Sequence, residues 1–336
     1  MDLNRSPDRA LLRSLRSAKP DRDPYQHQGY VIEQEPIEQG GNVSSATYFL
    51  TGSECRFTCS FCDLWQYTLH EKTPRGSLPQ QIRTLHRTLE SQRKLYDWLK
   101  LYNAANFFDP HNVPEEDYSE IASLCDRVDR VVVENHAAIT SSVRGQARIR
   151  SFRQMLRPKL EIAMGLESID PKATRRMNKS LPLRRFDSAC EILVNLGIAI
   201  RVFVILQPPG TAVESSLDWA VKSCQYAFER GAERCSIIPA RRGSGWTDAL
   251  ERQGAWMPPD LSLIESTLER SLQICSSPRR VVTVDLWDRE SFPGGCMSCR
   301  SQRFDRLMTM NLEQRTVSGQ GCAICDSAGV PQSIED

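Results

Sequence analysis

Residues 198–206, IAIRVFVIL, form an almost unbroken apolar run broken by Arg201, and they end on Gln207-Pro208-Pro209-Gly210. A strand that carries no polar face is one covered on both sides, as in a parallel sheet clothed by helices. Its neighbours supply those helices. Residues 182–196 have helical periodicity and stop at Gly197, while residues 214–230 do the same and stop at Gly231. The alternation recurs along the chain. Strands are expected at residues 46–50, 98–102, 130–134, 160–166 and 235–238, with 281–285 as a seventh or edge strand. Helices are expected at 78–96, with Ile82, Leu85, Leu89 and Leu95 on one face, at 114–128 behind the acidic turn Glu115-Glu116-Asp117, and at 261–275. Repeated βαβ units predict an α/β fold, a partial (β/α)6 TIM-type barrel, with its reactive residues on the loops that follow the strands.

The chain of 336 residues carries a formal net charge of +1, so its global charge selects no partner. Three regions are expected: a polar extension over 1–44 with one short helix near residues 9–15, the barrel over 45–287, and a cysteine-rich segment over 288–336. No run of about 18 apolar residues is present, so no membrane span is expected. The first residues, MDLNRSPDRALLRSL, lack the apolar segment of a signal peptide, and a cytoplasmic location follows as the expectation.

Of twelve cysteines, Cys55, Cys59 and Cys62 fall within eight residues as CxxxCxxC, directly after the first expected strand. Three thiols on one short loop can surround an iron–sulfur cluster and leave one iron open. Zinc with His70 as fourth ligand, or a redox pair of Cys59 and Cys62, are the other readings of this spacing. Phe61, an apolar lid beside Cys62, and the βα junction weigh against both. Cys125, Cys190, Cys224, Cys235 and Cys275 lie in apolar helices or strands and read as small buried hydrophobes.

With aromatic Phe61 before the last cysteine, the loop resembles the CxxxCxΦC signature of the radical S-adenosylmethionine (SAM) enzymes. The resemblance implies a [4Fe-4S] cluster whose fourth iron is chelated by SAM, and reductive cleavage of SAM to a 5′-deoxyadenosyl radical. It extends to EIAMGLES (residues 161–168), Arg176-Met177-Asn178-Lys179, Gly197-Ile198 and residues 206–210, similar to the core of the elongator-type and methylthio-transferring tRNA enzymes. By that likeness Glu167 and Ser168 contact the cofactor, Lys179 stands at a basic position of the branch, and Arg201 follows on the next strand. Residues 100–109 replace the family's glycine–glycine–glutamate motif, which passes recognition of the cofactor's amino group to Asn103 or Asn106. Over roughly residues 45–300 the pattern, with Glu134 at the end of its strand, is most similar to the radical-SAM subunit of archaeosine synthase. This implies a tRNA nucleobase or adduct as substrate, an electron donor such as a flavodoxin or ferredoxin, and a partner subunit. On residue chemistry alone, Glu167 and Lys179 also read as rim charges, Glu134 as either a site or a strand-end residue, and His136 as a satisfied loop histidine.

Cys296-x-x-Cys299 and Cys322-x-x-Cys325 form a second group, suited to zinc, to an auxiliary iron–sulfur cluster, or to redox chemistry. Arg289, Arg300, Arg303, Arg306 and Arg315 interleave with Phe304 there, a composition suited either to RNA or to a solvated surface. A second basic zone comprises Arg144, Arg148, Arg150, Arg153, Arg157 and Lys159. Modification of a peptide or small metabolite, and a non-catalytic zinc-dependent nucleic-acid-binding role, are the competing functions.

Overall fold

In the computed structural model, residues 6–275, 279–319 and 321–327 are described. The chain runs α1 (Arg9–Ser14), β1 (Gly29–Pro36), β2 (Asn42–Phe49), α2 (Ser77–Ser91), β3 (Trp98–Tyr102), α3 (Tyr118–Leu124) and β4 (Arg130–Glu134). It continues with α4 (Ala137–Thr140), α5 (Val143–Met155), β5 (Lys159–Glu167), α6 (Pro171–Arg176), α7 (Leu183–Asn195), β6 (Ala199–Leu206) and α8 (Val213–Glu229). The last elements are β7 (Arg234–Pro239), α9 (Trp246–Arg252), α10 (Leu261–Cys275), β8 (Val281–Val284), α11 (Arg300–Glu313) and α12 (Ala323–Ser327). The strands form one eight-stranded sheet in sequence order, curved into a nearly closed barrel. β1 is antiparallel to β2 and every later neighbour is parallel.

Strand alternation sorts the side chains. Leu99 and Leu101, Val131 and Val133, Ile162 and Met164, and Val202 and Val204 join the apolar core beneath the helices. The other face of the same strands turns into the barrel, and in its lower half that face is charged. Arg201 donates to Glu161 at 2.5 Å and to Glu35 at 2.7 Å, and Arg130 donates to Glu161 at 2.6 Å. Lys100 reaches Glu33 at 2.7 Å and also pairs with Glu35, while Arg234 lies 2.9 Å from Glu38. Trp98 sits between the Arg130 and Arg234 guanidinium groups, 4.2 and 4.6 Å from its ring centre. Four carboxylates meet four cations, and the Glu161 and Arg201 side chains are almost fully excluded from solvent.

Several expectations are revised here. Residues 29–36, expected within a polar extension, form β1. Its inward side chains, Glu33 and Glu35, are the carboxylates of the network, so the strand looks polar in sequence. β1 adds one antiparallel strand to the seven expected, all of which are present, and the partial α/β barrel stands. The helix expected over 114–128 shortens to α3, preceded by a 3₁₀ turn over Glu115–Asp117. Asp117 is turned back to accept the Gly76 N–H at 3.0 Å. α2 ends at Ser91, which leaves Leu95 outside the helix and 87% exposed. Residues 328–336 of the expected C-terminal region, and the Cys275 side chain, lie outside the description.

The C-terminal segment also differs. α11 contributes Phe304, Leu307 and Met310 to the main core and contacts both β8 and β1. Asn311 accepts from Val284 N–H and donates to Val284 C=O, at 2.9 and 2.8 Å. Gln314 does the same with Val282, at 2.9 and 2.8 Å. Two side-chain amides thus satisfy the backbone of the edge strand β8 as a ninth strand would.

Arg201→Met leaves Glu35 and Glu161 short of one buried partner. We expect a loss of about 3–5 kcal/mol in urea unfolding; a change below about 1 kcal/mol would show that the remaining cations compensate fully.

Candidate active site

The cysteine loop leaves the C-terminal end of β2 and is bound to the segment after α6. Ser60 N–H and Oγ donate to the carbonyls of Met177 and Arg176, both at 2.9 Å, and Asn178 Nδ2 donates to Thr58 C=O at 2.7 Å. On its other flank Asn112 Nδ2 donates to Ser53 C=O at 2.9 Å, and Arg56 donates to Asp109 at 2.6 Å. Arg16 and Lys19, from the N-terminal segment, pair with Glu54 at 2.7 and 3.0 Å. Three separate parts of the chain therefore hold the loop in place over the barrel mouth.

Burial pushes the Cys59 thiol up to about 12 and raises Cys55 and Cys62 as well, so the thiols ionise only when a cation takes their charge. Asn106 Nδ2 donates to Cys55 Sγ at 3.1 Å, and Asn106 Oδ1 accepts from His136 N–H at 2.8 Å. Among the described residues, the four C-terminal cysteines gather with all their sulfurs within 4.8 Å of one another. His70, the alternative fourth ligand, is exposed and faces Asp21. Phe61 packs beside the small apolar cluster of Leu12, Ile205 and Trp246.

Opposite the loop, Lys179 and Glu167 form a buried ion pair. Desolvation works against the Lys179 ammonium, but Glu167 and then Cys59 outweigh it and hold its pKa above the ordinary lysine value. The pair folds back across β5, so a side chain at Gly165 would collide with both partners. Ser168 Oγ accepts Asp170 N–H at 3.0 Å and so shapes the turn into α6. Arg201 is not at this mouth; its guanidinium is committed to the charged floor.

The backbone here is strained. Ala104, Glu167, Asn178, Ser180 and Gln207 all have φ between 48° and 66°; Glu167 is the last residue of β5, and the others follow β3, α6 and β6. Non-glycine residues adopt this region at a cost, and they do so most often where a site demands it.

Four residues at the mouth also keep polar atoms that no protein group satisfies. They are both amide atoms of Asn103, Glu134 Oε2, His136 Nε2 and Gln207 Oε1. Buried polar atoms are nearly always paired, so such a group fits a ligand rich in donors and acceptors. Glu134 retains some accessible surface but its carboxyl lies deep in the mouth. Burial, and after it Glu167, pushes that carboxyl up to about 8. The His136 ring stacks on Phe57 at 3.7 Å and its Nδ1 accepts Ala138 N–H, so the proton sits on Nε2. Burial first and Lys179 second lower its pKa to about 3, which keeps the ring neutral. Sequence reasoning read His136 as a satisfied loop histidine, whereas its Nε2 is unpaired, and it assigned no role to Gln207, although the 206–210 motif signalled a special turn there.

The C-terminal arginines do not form the open RNA surface their composition allows. Arg300 donates to the carbonyls of Gly294 and Phe292, both at 2.7 Å. Arg303 pairs with Glu265 at 2.5 Å, and Arg306 pairs with Glu269. Phe304 is buried in the core. In the second zone Arg148 pairs with Glu115 at 2.6 Å and Arg153 donates to Leu156 C=O at 2.7 Å, while Arg144, Arg150 and Lys159 are exposed.

No family profile matches the chain, and no curated protein matches its sequence. Solved structures do share its fold. Elp3 of the archaeon Methanocaldococcus infernus, with its N-terminus deleted, is 12% identical with a TM-score of 0.52, over 70% of this chain and 59% of that one. The present chain therefore spans only 59% of that structure's length. A radical SAM methyltransferase from Sphaerobacter thermophilus is 13% identical with a TM-score of 0.48, over 76% of this chain and 73% of that one. The likeness to Elp3 is one of fold. Among the described residues no helix is long and apolar enough to cross a membrane.

Because the folded protein holds a proton on Glu134 that the unfolded chain releases near 4.5, ionising Glu134 costs stability as pH rises from there through about 8. Urea midpoints of wild type and Glu134→Gln at pH 5, 7 and 8.5 should show wild type losing ground to the variant as pH rises. A pH-independent difference would show that Glu134 does not titrate in this window.

Proposed function

We propose that the chain is a radical SAM enzyme, with Cys55, Cys59 and Cys62 as ligands of a [4Fe-4S] cluster and SAM bound at the barrel mouth. The observation that carries the reading is the placement of three half-buried thiols on the β2 loop, beside a buried lysine and a set of unsatisfied polar atoms at the barrel mouth. Bound together, the cluster and SAM supply one-electron cleavage of the sulfonium and a hydrogen-abstracting 5′-deoxyadenosyl radical.

The chain's own residues supply the rest. Lys179 places a positive charge beside the thiolates, and Glu167 fixes its position. The Asn103 amide can bind the amino and carboxylate groups of SAM, and Asn106 holds Cys55 in register with the β4 turn. His136 offers a neutral Nε2–H donor, and Glu134, protonated at neutral pH, offers a second without adding negative charge. Phe61 excludes water from the cluster side.

For the substrate, the reading is a nucleobase or adduct in tRNA. Its support is a cationic lip: Lys172, Arg175 and Arg176 on α6, and Arg184 and Arg185 in the first turn of α7. Among the described residues none of the five is ion-paired. The adjacent acids are already engaged, Asp170 by Thr211 and Asp187 by Tyr226 and Arg230. Arginines at a helix N-terminus oppose the helix dipole, a local cost that a phosphate backbone would relieve. A reduced flavodoxin or ferredoxin as electron donor, a partner subunit and a cytoplasmic location complete the reading.

Anaerobically reconstituted protein with dithionite and SAM should release 5′-deoxyadenosine, and Cys59→Ala should abolish it with an unchanged circular dichroism spectrum. A variant that still cleaves SAM would remove Cys59 from the ligand set. For the substrate, alanine at Lys172, Arg175, Arg184 and Arg185 together should weaken tRNA binding at least tenfold. Each lost phosphate contact should flatten the salt dependence by about 0.7–0.9 in slope. Unchanged affinity and slope would turn the reading toward a peptide or small metabolite.

A further inference from the structure

We infer that Cys296, Cys299, Cys322 and Cys325 bind a single tetrahedral zinc ion, and that this ion locks α11 across the open side of the barrel. The inference goes beyond the radical chemistry and stands whether or not the β2 loop carries a cluster.

Sulfur spacing selects the metal. Cys296 Sγ lies 3.6 Å from Cys299 Sγ and 3.5 Å from Cys322 Sγ, and Cys299 Sγ lies 3.6 Å from Cys325 Sγ. Four thiolates about 2.3 Å from one zinc ion stand about 3.8 Å apart at the corners of a tetrahedron. The observed edges approach that value. They are far too long for disulfides, whose sulfurs are about 2.05 Å apart. They are also too short for a cubic cluster, whose four thiolates each bind a different iron and so stand around the whole cube. A complete set of four protein sulfurs leaves no open position, which marks the site as structural.

The location gives the ion its work. Cys299 is the N-cap residue of α11, and Cys296 lies on the turn that leads into it. The second pair lies on the returning chain, with Cys325 on α12. Apart from the sulfurs, that return is tied to α11 by Arg306, whose Nε donates to Val317 C=O at 2.7 Å. The ion thus clips both ends of the loop that leaves and returns to α11. Farther along the helix, Asn311 and Gln314 satisfy the backbone of β8, and the helix touches β1 across the gap. Releasing the ion frees the start of α11, and with it the cover over the β8 edge.

The test uses the full chain and a Cys55→Ala/Cys59→Ala/Cys62→Ala variant that silences the loop. Elemental analysis of the variant should give one zinc and no iron per chain, and cobalt(II) exchange should give the intense visible bands of a tetrahedral tetrathiolate. If the variant fails to fold, the same cobalt exchange and an iron-to-sulfide ratio on the anaerobic wild type decide the question. Hydrogen exchange after zinc removal should speed the α11 amides and those of Val282 and Val284 at least tenfold and leave β3–β5 unchanged. Iron and sulfide at the C-terminal cysteines, or no bound metal, would overturn the assignment. Zinc removal without faster exchange would overturn the lock. Failure of the loop to bind iron would overturn the radical SAM reading and leave this one untouched.

Discussion

Four carboxylates and four cations inside the lower barrel set the terms for the rest of the molecule. A barrel of this size usually fills its interior with branched apolar side chains. Here Glu33, Glu35, Glu38 and Glu161 meet Lys100, Arg130, Arg201 and Arg234, contributed by β1, the β1–β2 turn and strands β3–β7. Such a network is tolerated only when every charge is matched, because an unpaired buried charge costs several kcal/mol. The antiparallel β1 is thereby required rather than optional, since without Glu33 and Glu35 Lys100 loses both its partners and Arg201 one of its two. The same network closes the bottom of the barrel, while the mouth keeps the unmatched atoms of Asn103, Glu134, His136 and Gln207.

At that mouth, order is maintained against local cost. Five non-glycine residues hold left-handed backbone, Glu134 is kept neutral, His136 is kept neutral with its proton on Nε2, and Lys179 is kept charged by Glu167. These features point in one direction. They leave fixed donors at the mouth, beside three cysteines whose thiol pKa values burial raises. The N-terminal segment adds a further tie, because Arg16 and Lys19 reach the cysteine loop through Glu54.

Much of the barrel was legible because its strands are apolar on their outer face. β3 and β4 coincide with residues 98–102 and 130–134, and β6 with the run that contains Arg201. The elements that escaped detection break the usual correlation between polarity and exposure. β1 reads as surface because its inward residues are acids. Arg201 reads as a site residue only through the family resemblance, and its partners arrive from β1 and β5. The arginines of α11 read as suited either to RNA or to a solvated surface, because their pairing with Glu265 and Glu269 on α10 is one that only the tertiary structure reveals. The cysteine loop and Lys179 were legible from motif, whereas the unmatched atoms of His136 and Gln207 appear only once the strand ends converge.

The central claim is that the β2 loop presents a cluster with one iron open to SAM. Electron paramagnetic resonance of the anaerobic, dithionite-reduced protein tests it directly. The account predicts a reduced [4Fe-4S] signal whose g-values shift when SAM is added, and loss of that signal in Cys59→Ala. A protein that carries only zinc, or a cluster signal indifferent to SAM, would contradict it.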